Sequence, residues 1–210
     1  MTQDPFETKE LSRAQLRRRD DIIQAALEAF DRDGFDAAKI SDIADRAGVA
    51  KGTMYLYFGS KAELLKGVLV YSILPSLQRI TEATVSHTGS APDLLSLQFK
   101  MIAAQMASPG MKTLLRYMIS GGQKQQDIID FYYENVVQKG SALIRSTLEY
   151  GVERGEFRAD VIDISPRVLV GTHVNIAIWN ILFHDRDALD IDKFVDDHLA
   201  LMLNGLLPKP

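Results

Sequence analysis

The segment 168–183, VLVGTHVNIAIWNILF, is apolar almost all the way round a helical projection. A helix of that kind must be covered on more than one side. One side can face the chain's own core; the other needs a partner or a thicker core. The last pattern, at 192–206, is one-sided: Val195, Leu199, Met202 and Leu206 form a stripe flanked by Phe194 and Leu201.

The rest of the chain also reads as helix. Ile22, Ile23, Ala26, Leu27 and Phe30 share one face after a basic lead-in, and Gly34 is placed to end that helix. Ser41 precedes a short apolar–polar segment that stops at Gly48, and a third short helix spans 51–58. Ser60 and Glu63 spell a capping box opening a fourth helix, which Pro75 kinks or splits. Longer helices are expected at 93–107, 111–120, 125–154, 166–184 and 192–206, with breaks at Gly121-Gly122 and Gly155. The 125–154 segment keeps a stripe through Ile129, Tyr132, Val136, Leu143, Thr147 and Gly151. There is no strand-like alternation of useful length, no repeat and no low-complexity run, so the fold class is all-α.

The 210 residues, 46% hydrophobic and 25% charged, suffice for one large domain or a small domain fused to a larger one. The absence of cysteine excludes disulfides, thiol catalysis and cysteine-bound metals. The N-terminal MTQDPFETKELSR lacks the apolar core of a signal peptide, and no stretch approaches about 18 uninterrupted apolar residues. The chain therefore reads as soluble and cytoplasmic, with no membrane partner. A net charge of −4 argues by itself against nucleic acid as a partner, but the cations are concentrated. Lys9, Arg13, Arg17, Arg18 and Arg19 face only Glu10, and Arg46, Lys51 and Lys61 have no acid between them.

The second basic cluster lies in ISDIADRAGVAKGTMYLYFGSKAELL, residues 40–65, which has the logic of a helix-turn-helix. Ser41 is placed to cap the second helix, whose buried face is Ile43, Ala44 and Ala47. Gly48 permits the positive φ of a tight turn, and Val49 plugs the corner. The next helix begins Lys51-Gly52-Thr53, where free N–H groups favour phosphate. Thr53, Tyr55 and Tyr57 can donate hydrogen bonds, Met54 and Phe58 pack inward, and Lys61 is placed for a phosphate. Tyr55, Tyr57 and Phe58 could instead be core aromatics.

From Ile22 to Leu65 the chain resembles the DNA-binding domain of the TetR family of transcriptional regulators. The likeness runs through IIQAALEAFDRDGFDAAKI, SDIADRAGV, KGTMYLYF and SKAELL. It implies DNA contacts from Ser41, Lys51, Gly52, Thr53, Tyr55, Tyr57 and Lys61, with Arg46 as an extra contact. Arg17, Arg18 and Arg19 would form a mobile basic arm, or else a solvated face. Ala50 departs from the serine that many members use to cap the recognition helix, a loss of about 0.5–2 kcal/mol.

The resemblance further implies an N-terminal three-helix DNA-binding domain at 13–66, after a flexible arm at 1–12. A larger helical domain for effector binding and dimerisation follows at 67–210. The helices at 166–184 and 192–206 would form a four-helix bundle with a second copy. Val168, Gly171, Val195, Leu199, Met202 and Leu206 are the candidate interface. Two recognition helices would then read a pseudo-palindromic operator in double-stranded DNA.

Candidate effector-lining residues are Phe99, Met101, Met106, Tyr117, Met118, Phe131, Tyr132 and Trp179. Gln98, His173, Asn175 and Asn180 are candidate polar anchors, unless the last three bond across the interface. No catalytic, metal or cofactor site is expected. The four histidines lack ligand spacing, and Asp185, Asp187, Asp190 and Asp192 lack the glycine and terminal glutamate of a calcium loop, so they read as a polar loop capping the last helix. The expected function is a repressor released from its operator by a small, mainly apolar ligand. The alternatives are an architectural or protein-regulated DNA binder without a small-molecule effector, and a ligand-binding protein that does not use DNA.

Overall fold

A computed structural model describes residues 11–120 and 126–208. The described residues are helical, without strands. The helices are α1 (Arg13–Asp33), α2 (Ile40–Arg46), α3 (Lys51–Tyr57), α4 (Lys61–Ser72), α5 (Leu74–Ser86), α6 (Ala91–Met106), α7 (Pro109–Ser120), α8 (Gln126–Tyr132), α9 (Lys139–Glu153), α10 (Pro166–Leu182) and α11 (Ile191–Leu206).

Local chemistry sets most boundaries. At α1 a full capping box operates: Ser12 Oγ accepts from the Gln15 amide and the Gln15 side chain accepts from the Ser12 amide. Arg17, Arg18 and Arg19 therefore stand within α1, not on a mobile arm. The helix starts at Arg13, so of the expected arm only residues 11 and 12 are described, and Lys9 and the rest lie outside the described residues. Ser60 caps α4 by accepting from the Glu63 amide, while the Glu63 carboxylate accepts from the Gly59 amide and not from Ser60, so the box is reciprocated one residue early. α4 ends at Ile73, and Pro75 sits in the first turn of α5, where its missing N–H does no harm. Asp190 caps α11 through the Lys193 amide.

The expected single helix across 125–154 is interrupted. A π-helical turn, Tyr133–Gln138, separates α8 from α9. Its wider turn rotates the two halves' faces relative to each other. Ile128 and Ile144 take the buried positions expected of Ile129 and Leu143, which are half-buried. Gln125 and the Gly121-Gly122 break lie outside the described residues.

Two apolar cores result. One joins α1–α4 to the C-terminal helices, since Ile22, Phe30, Met54 and Leu65 share it with Met111, Leu114, Tyr117 and Ala177. The expected 66/67 division falls inside α4, where Leu64, Leu65, Val68 and Leu69 are all in that core. The second core lies among α6, α9, α10 and α11. A buried polar link crosses it: Gln98 donates to Thr84 Oγ1 at 2.9 Å and accepts from Thr147 Oγ1 at 3.0 Å, joining α5, α6 and α9.

α10 is two-sided, as its composition demands. Leu169, His173, Ile176 and Ala177 are buried, while Val168 is 70% exposed and Val174, Ile178 and Leu182 are also exposed. Gly171 is exposed beside them. On α11 the expected outward stripe is turned the other way. Val195, Leu199 and Leu206 are buried in the protomer's own core and Met202 is half-buried against it, because one amphipathic face suffices to dock α11. Its outward apolar residue is Leu201, 77% exposed.

His173 is 1% exposed and packs edge-on against Phe99, with ring centroids 4.7 Å apart; His198 stacks on the same phenyl ring at 5.7 Å. Burial, then the neighbouring His198, pushes the His173 pKa down to about 4, against a small opposing pull from the Phe99 backbone. The unfolded chain binds this proton near pH 6.5 and the folded chain only near 4, so His173 makes stability rise with pH across that window. Urea unfolding at pH 7 and pH 4.5 should show a loss on the order of 2–3 kcal/mol on acidification. His173→Phe should lose markedly less.

Candidate nucleic-acid interface and effector cavity

The α2–α3 pair is held by a tight turn and a small apolar plug. Gly48 has φ 65°, its amide bonds to the Asp45 carbonyl, and the Val49 amide bonds to the Ala44 carbonyl. Ile43, Ala44, Met54 and Phe58 are buried. Phe58 reaches α4 because Gly67 has no side chain: a β-carbon there would stand 2.6 Å from the Phe58 ring. No side chain caps α3, as the alanine at position 50 leads one to expect. The first-turn N–H groups of α3 therefore carry the positive end of its peptide dipoles.

The outward face of α3 presents Lys51, Gly52, Tyr55 and Leu56, with Thr53 and Tyr57 half-buried at its edge. Leu56, 84% exposed, is the residue that reading the sequence missed. A helical projection of KGTMYLY places it opposite the buried face, so the signal was available. Ser41 does not cap α2. That helix begins one residue earlier, at Ile40, and the Ser41 hydroxyl donates to Asp42 Oδ1 at 3.0 Å.

The cations around α3 are partly engaged. Arg46 pairs with Glu28 at 2.6 Å. Lys61 donates to the Asp36 carbonyl at 3.2 Å and lies 4.7 Å above the Phe35 ring; partial burial lowers its pKa, and Asp36 opposes this. Arg18 donates to the Gly48 carbonyl at 3.3 Å, tying α1 to the turn. Arg17 is exposed, and Arg19 is half-buried.

A cavity of about 240 Å³ lies among α5, α6, α7, α9, α10 and the π-helical turn. Of the candidate effector residues, Met106, Tyr132 and His173 stand on its wall. Burial pushes the Tyr132 phenol up to about 12, and its hydroxyl lies 3.8 Å from Met111 Sδ. The other expected residues are elsewhere. Phe99 is buried behind His173, Met101 borders a separate pocket with Ser72 and Arg79, and Tyr117 packs edge-on to Phe35 at 4.5 Å. Met118 and Phe131 pack on the core of the α1–α4 domain. Trp179 donates to the Asp187 carbonyl and tilts against Phe183. Gln98 is consumed by its two threonines, and neither Asn175 nor Asn180 lines the cavity. The wall is completed by Ile73, Leu77 and Ile80, spaced i, i+4, i+7 along the start of α5, and by Ile102, Val136 and Ile144. Among the described lining residues Arg167 is the one formally charged group, and none of them carries a carboxylate.

The cavity is mechanically close to the α1–α4 domain. Met111 on its wall is followed in α7 by Lys112, which pairs with Asp31 of α1 at 2.9 Å. One turn on, Arg116 donates to the Asp31 carbonyl at 3.3 Å.

Residues 22–68 match the family of bacterial regulatory proteins called tetR. Those residues are a TetR-type DNA-binding segment. Its TetR-type helix-turn-helix is α2–α3, followed by a larger helical domain. The chain is similar to the uncharacterized HTH-type transcriptional regulator YerO of Bacillus subtilis, 27% identical over 194 residues, 90% of this chain and 65% of YerO. The chain thus spans about two thirds of that relative's length. The fatty acid metabolism regulator protein of Bacillus subtilis is 25% identical over 191 residues, 88% of this chain and 93% of that one. The structure of FadR from Bacillus subtilis in complex with stearoyl-CoA shares the fold of this chain, with a TM-score of 0.72, 23% identity and coverage of 88% and 97%.

The Arg46–Glu28 pair gives a direct check on the interface. Both side chains are about half exposed, so the pair itself adds little stability. Glu28→Gln should tighten binding to duplex DNA about two- to fivefold at low salt, measured by fluorescence anisotropy, with the melting temperature nearly unchanged.

Proposed function

We propose that the protein is a homodimeric, sequence-specific transcriptional repressor that a small, mainly apolar ligand releases from a pseudo-palindromic operator. The observation that carries this reading is the outward face of α3. It joins an uncapped helix N-terminus, Lys51, two tyrosines and a side-chain-free position on one convex surface. A short helix of that shape fits a major groove, and Tyr55, Tyr57, Lys51 and Lys61 are the groups that reach phosphates or bases. Ser41 and Arg46 lie on α2 beside it, Arg46 after exchanging Glu28 for a phosphate. Arg17 and Arg18 extend the basic surface along α1.

The dimer rests on α10. Val168, Ile178 and Leu182 form an apolar face that a second copy would cover, joined by Leu201 of α11, with Gly171 and Val174 at the edge where this face meets the cavity. Among the described residues no helix is long and apolar enough to cross a membrane. Symmetric pairing would present two α3 helices about 34–36 Å apart to one side of a duplex.

The cavity favours a ligand-regulated protein over a DNA binder with a filled second domain. Its wall accepts neutral or anionic apolar molecules. A buried cation would find no carboxylate there and a neutral His173. The FadR relative's complex with stearoyl-CoA supports the same class of ligand. Occupancy would press on Met111 and Leu77, altering how Lys112 and Arg116 hold Asp31. A coupling of roughly 1–3 kcal/mol changes DNA affinity about 5- to 150-fold. The relatives named above are regulators, and we read this chain as a regulator acting in the cytoplasm and not as an enzyme.

Genomic fragments captured by the protein provide the test. Tyr55→Ala should weaken binding to the captured operator at least about tenfold, and Lys61→Ala should lower the slope of log affinity against log salt by about one. Unchanged affinity and slope in both variants would refute the placement of these contacts. Leu77→Trp should leave operator binding intact while abolishing release by apolar compounds that raise the wild-type melting temperature. Capture of no fragment would favour a ligand-binding protein that does not use DNA.

A further inference from the structure

Two features of α3 have no use inside the free protein. Gly52 is outside the left-handed region, and a β-carbon there would meet nothing within 4 Å. Neither backbone conformation nor packing requires glycine, and glycine in a helix is less stable than alanine. Leu56 lies four residues on and is 84% exposed, although Met54 and Phe58 on either side of it are buried. Positions i and i+4 share a helix face. A helical leucine side chain leans back toward the N-terminus, over the turn that Gly52 occupies. The result is a bare backbone patch roofed by one isobutyl group, on the face turned away from the core and flanked by Lys51 and Tyr55.

We propose that Gly52 and Leu56 together read the C5-methyl group of a thymine in each operator half-site. Glycine lets the α3 backbone sink to the base edges, and leucine closes over the methyl. The major-groove base edges otherwise present hydrogen-bond donors and acceptors beside small ring C–H groups; the thymine methyl is the one apolar group that projects into the groove. Leucine pressed against the polar edges would remove their water and return no hydrogen bond. Against the methyl it removes apolar surface from water on both partners. This inference rests on α3 entering a major groove, as proposed above. It assigns a T·A pair to the position facing Leu56 and to its symmetry mate.

The test uses the full-length chain and a random-sequence duplex library. The enriched site is remade with deoxyuridine replacing each thymine in turn, which deletes the methyl and leaves every polar group in place. At one symmetry-related pair of positions the replacement should weaken wild-type binding about fourfold per half-site. Leu56→Ala should bind the thymine and uridine sites equally well. Gly52→Ala should weaken operator binding while keeping or raising the melting temperature, an outcome that a purely structural glycine would not give. A wild type indifferent to uridine at every position overturns the inference but leaves DNA binding standing. So does Leu56→Ala that retains the full uridine effect, or Gly52→Ala that binds the operator as tightly as wild type. A library that enriches no sequence overturns the DNA reading as well.

Discussion

The rest of the molecule depends on one helix that is apolar on two sides. α10 buries Leu169, His173, Ile176 and Ala177 in the protomer and leaves Val168, Val174, Ile178 and Leu182 uncovered. It also lines the cavity, through Val170, Gly171, His173 and Val174, and its buried His173 packs edge-on to Phe99. At its other end Ala177 belongs to the core that contains α1 to α4. A single element thus touches the surface available for pairing, the space available for a ligand and the domain that carries α3.

That arrangement accounts for how a small molecule could govern a surface it does not touch. The cavity is bounded at one side by the start of α5 and at another by Met111 of α7. Both are rigid neighbours of the α1–α4 domain: α4 runs into α5 at Ile73, and α7 grips Asp31 through Lys112 and Arg116. Packed helices of this kind shift between discrete arrangements instead of deforming continuously.

The helix-turn-helix was legible because its determinants are local. Gly48, the buried Ile43, Ala44 and Met54, the missing cap at Ala50 and the outward Lys51 all follow from residue type and spacing. Leu56 was legible on the same grounds, opposite the buried Met54, but it lies between two tyrosines whose hydroxyls are the more evident contacts. The cavity was much less legible. Methionines and aromatics are as suited to core as to a ligand wall, and Phe99, Tyr117 and Met118 went to core. The wall residues Ile73, Leu77 and Ile80 come from a helix whose start depends on how the chain divides at Pro75. The α11 stripe illustrates a further limit. Periodicity shows that Val195, Leu199 and Leu206 share a face, but not whether that face meets its own core or a second copy. The π-helical turn at Tyr133–Gln138 left no mark that helical spacing could show, and the buried isoleucines on its two sides are Ile128 and Ile144.

The central claim is that the outer face of α10 joins two chains and that joining is what makes a DNA reader. Light scattering of the purified chain, with the Val168→Glu/Leu201→Glu double variant beside it, tests this most directly. Both positions are solvent-exposed in the protomer, so the charges leave its fold intact. The wild type should have about twice the 23.4 kDa chain mass and bind its operator, and the double variant should have the mass of one chain and not bind. A wild type of single-chain mass that still binds its operator tightly would contradict the account.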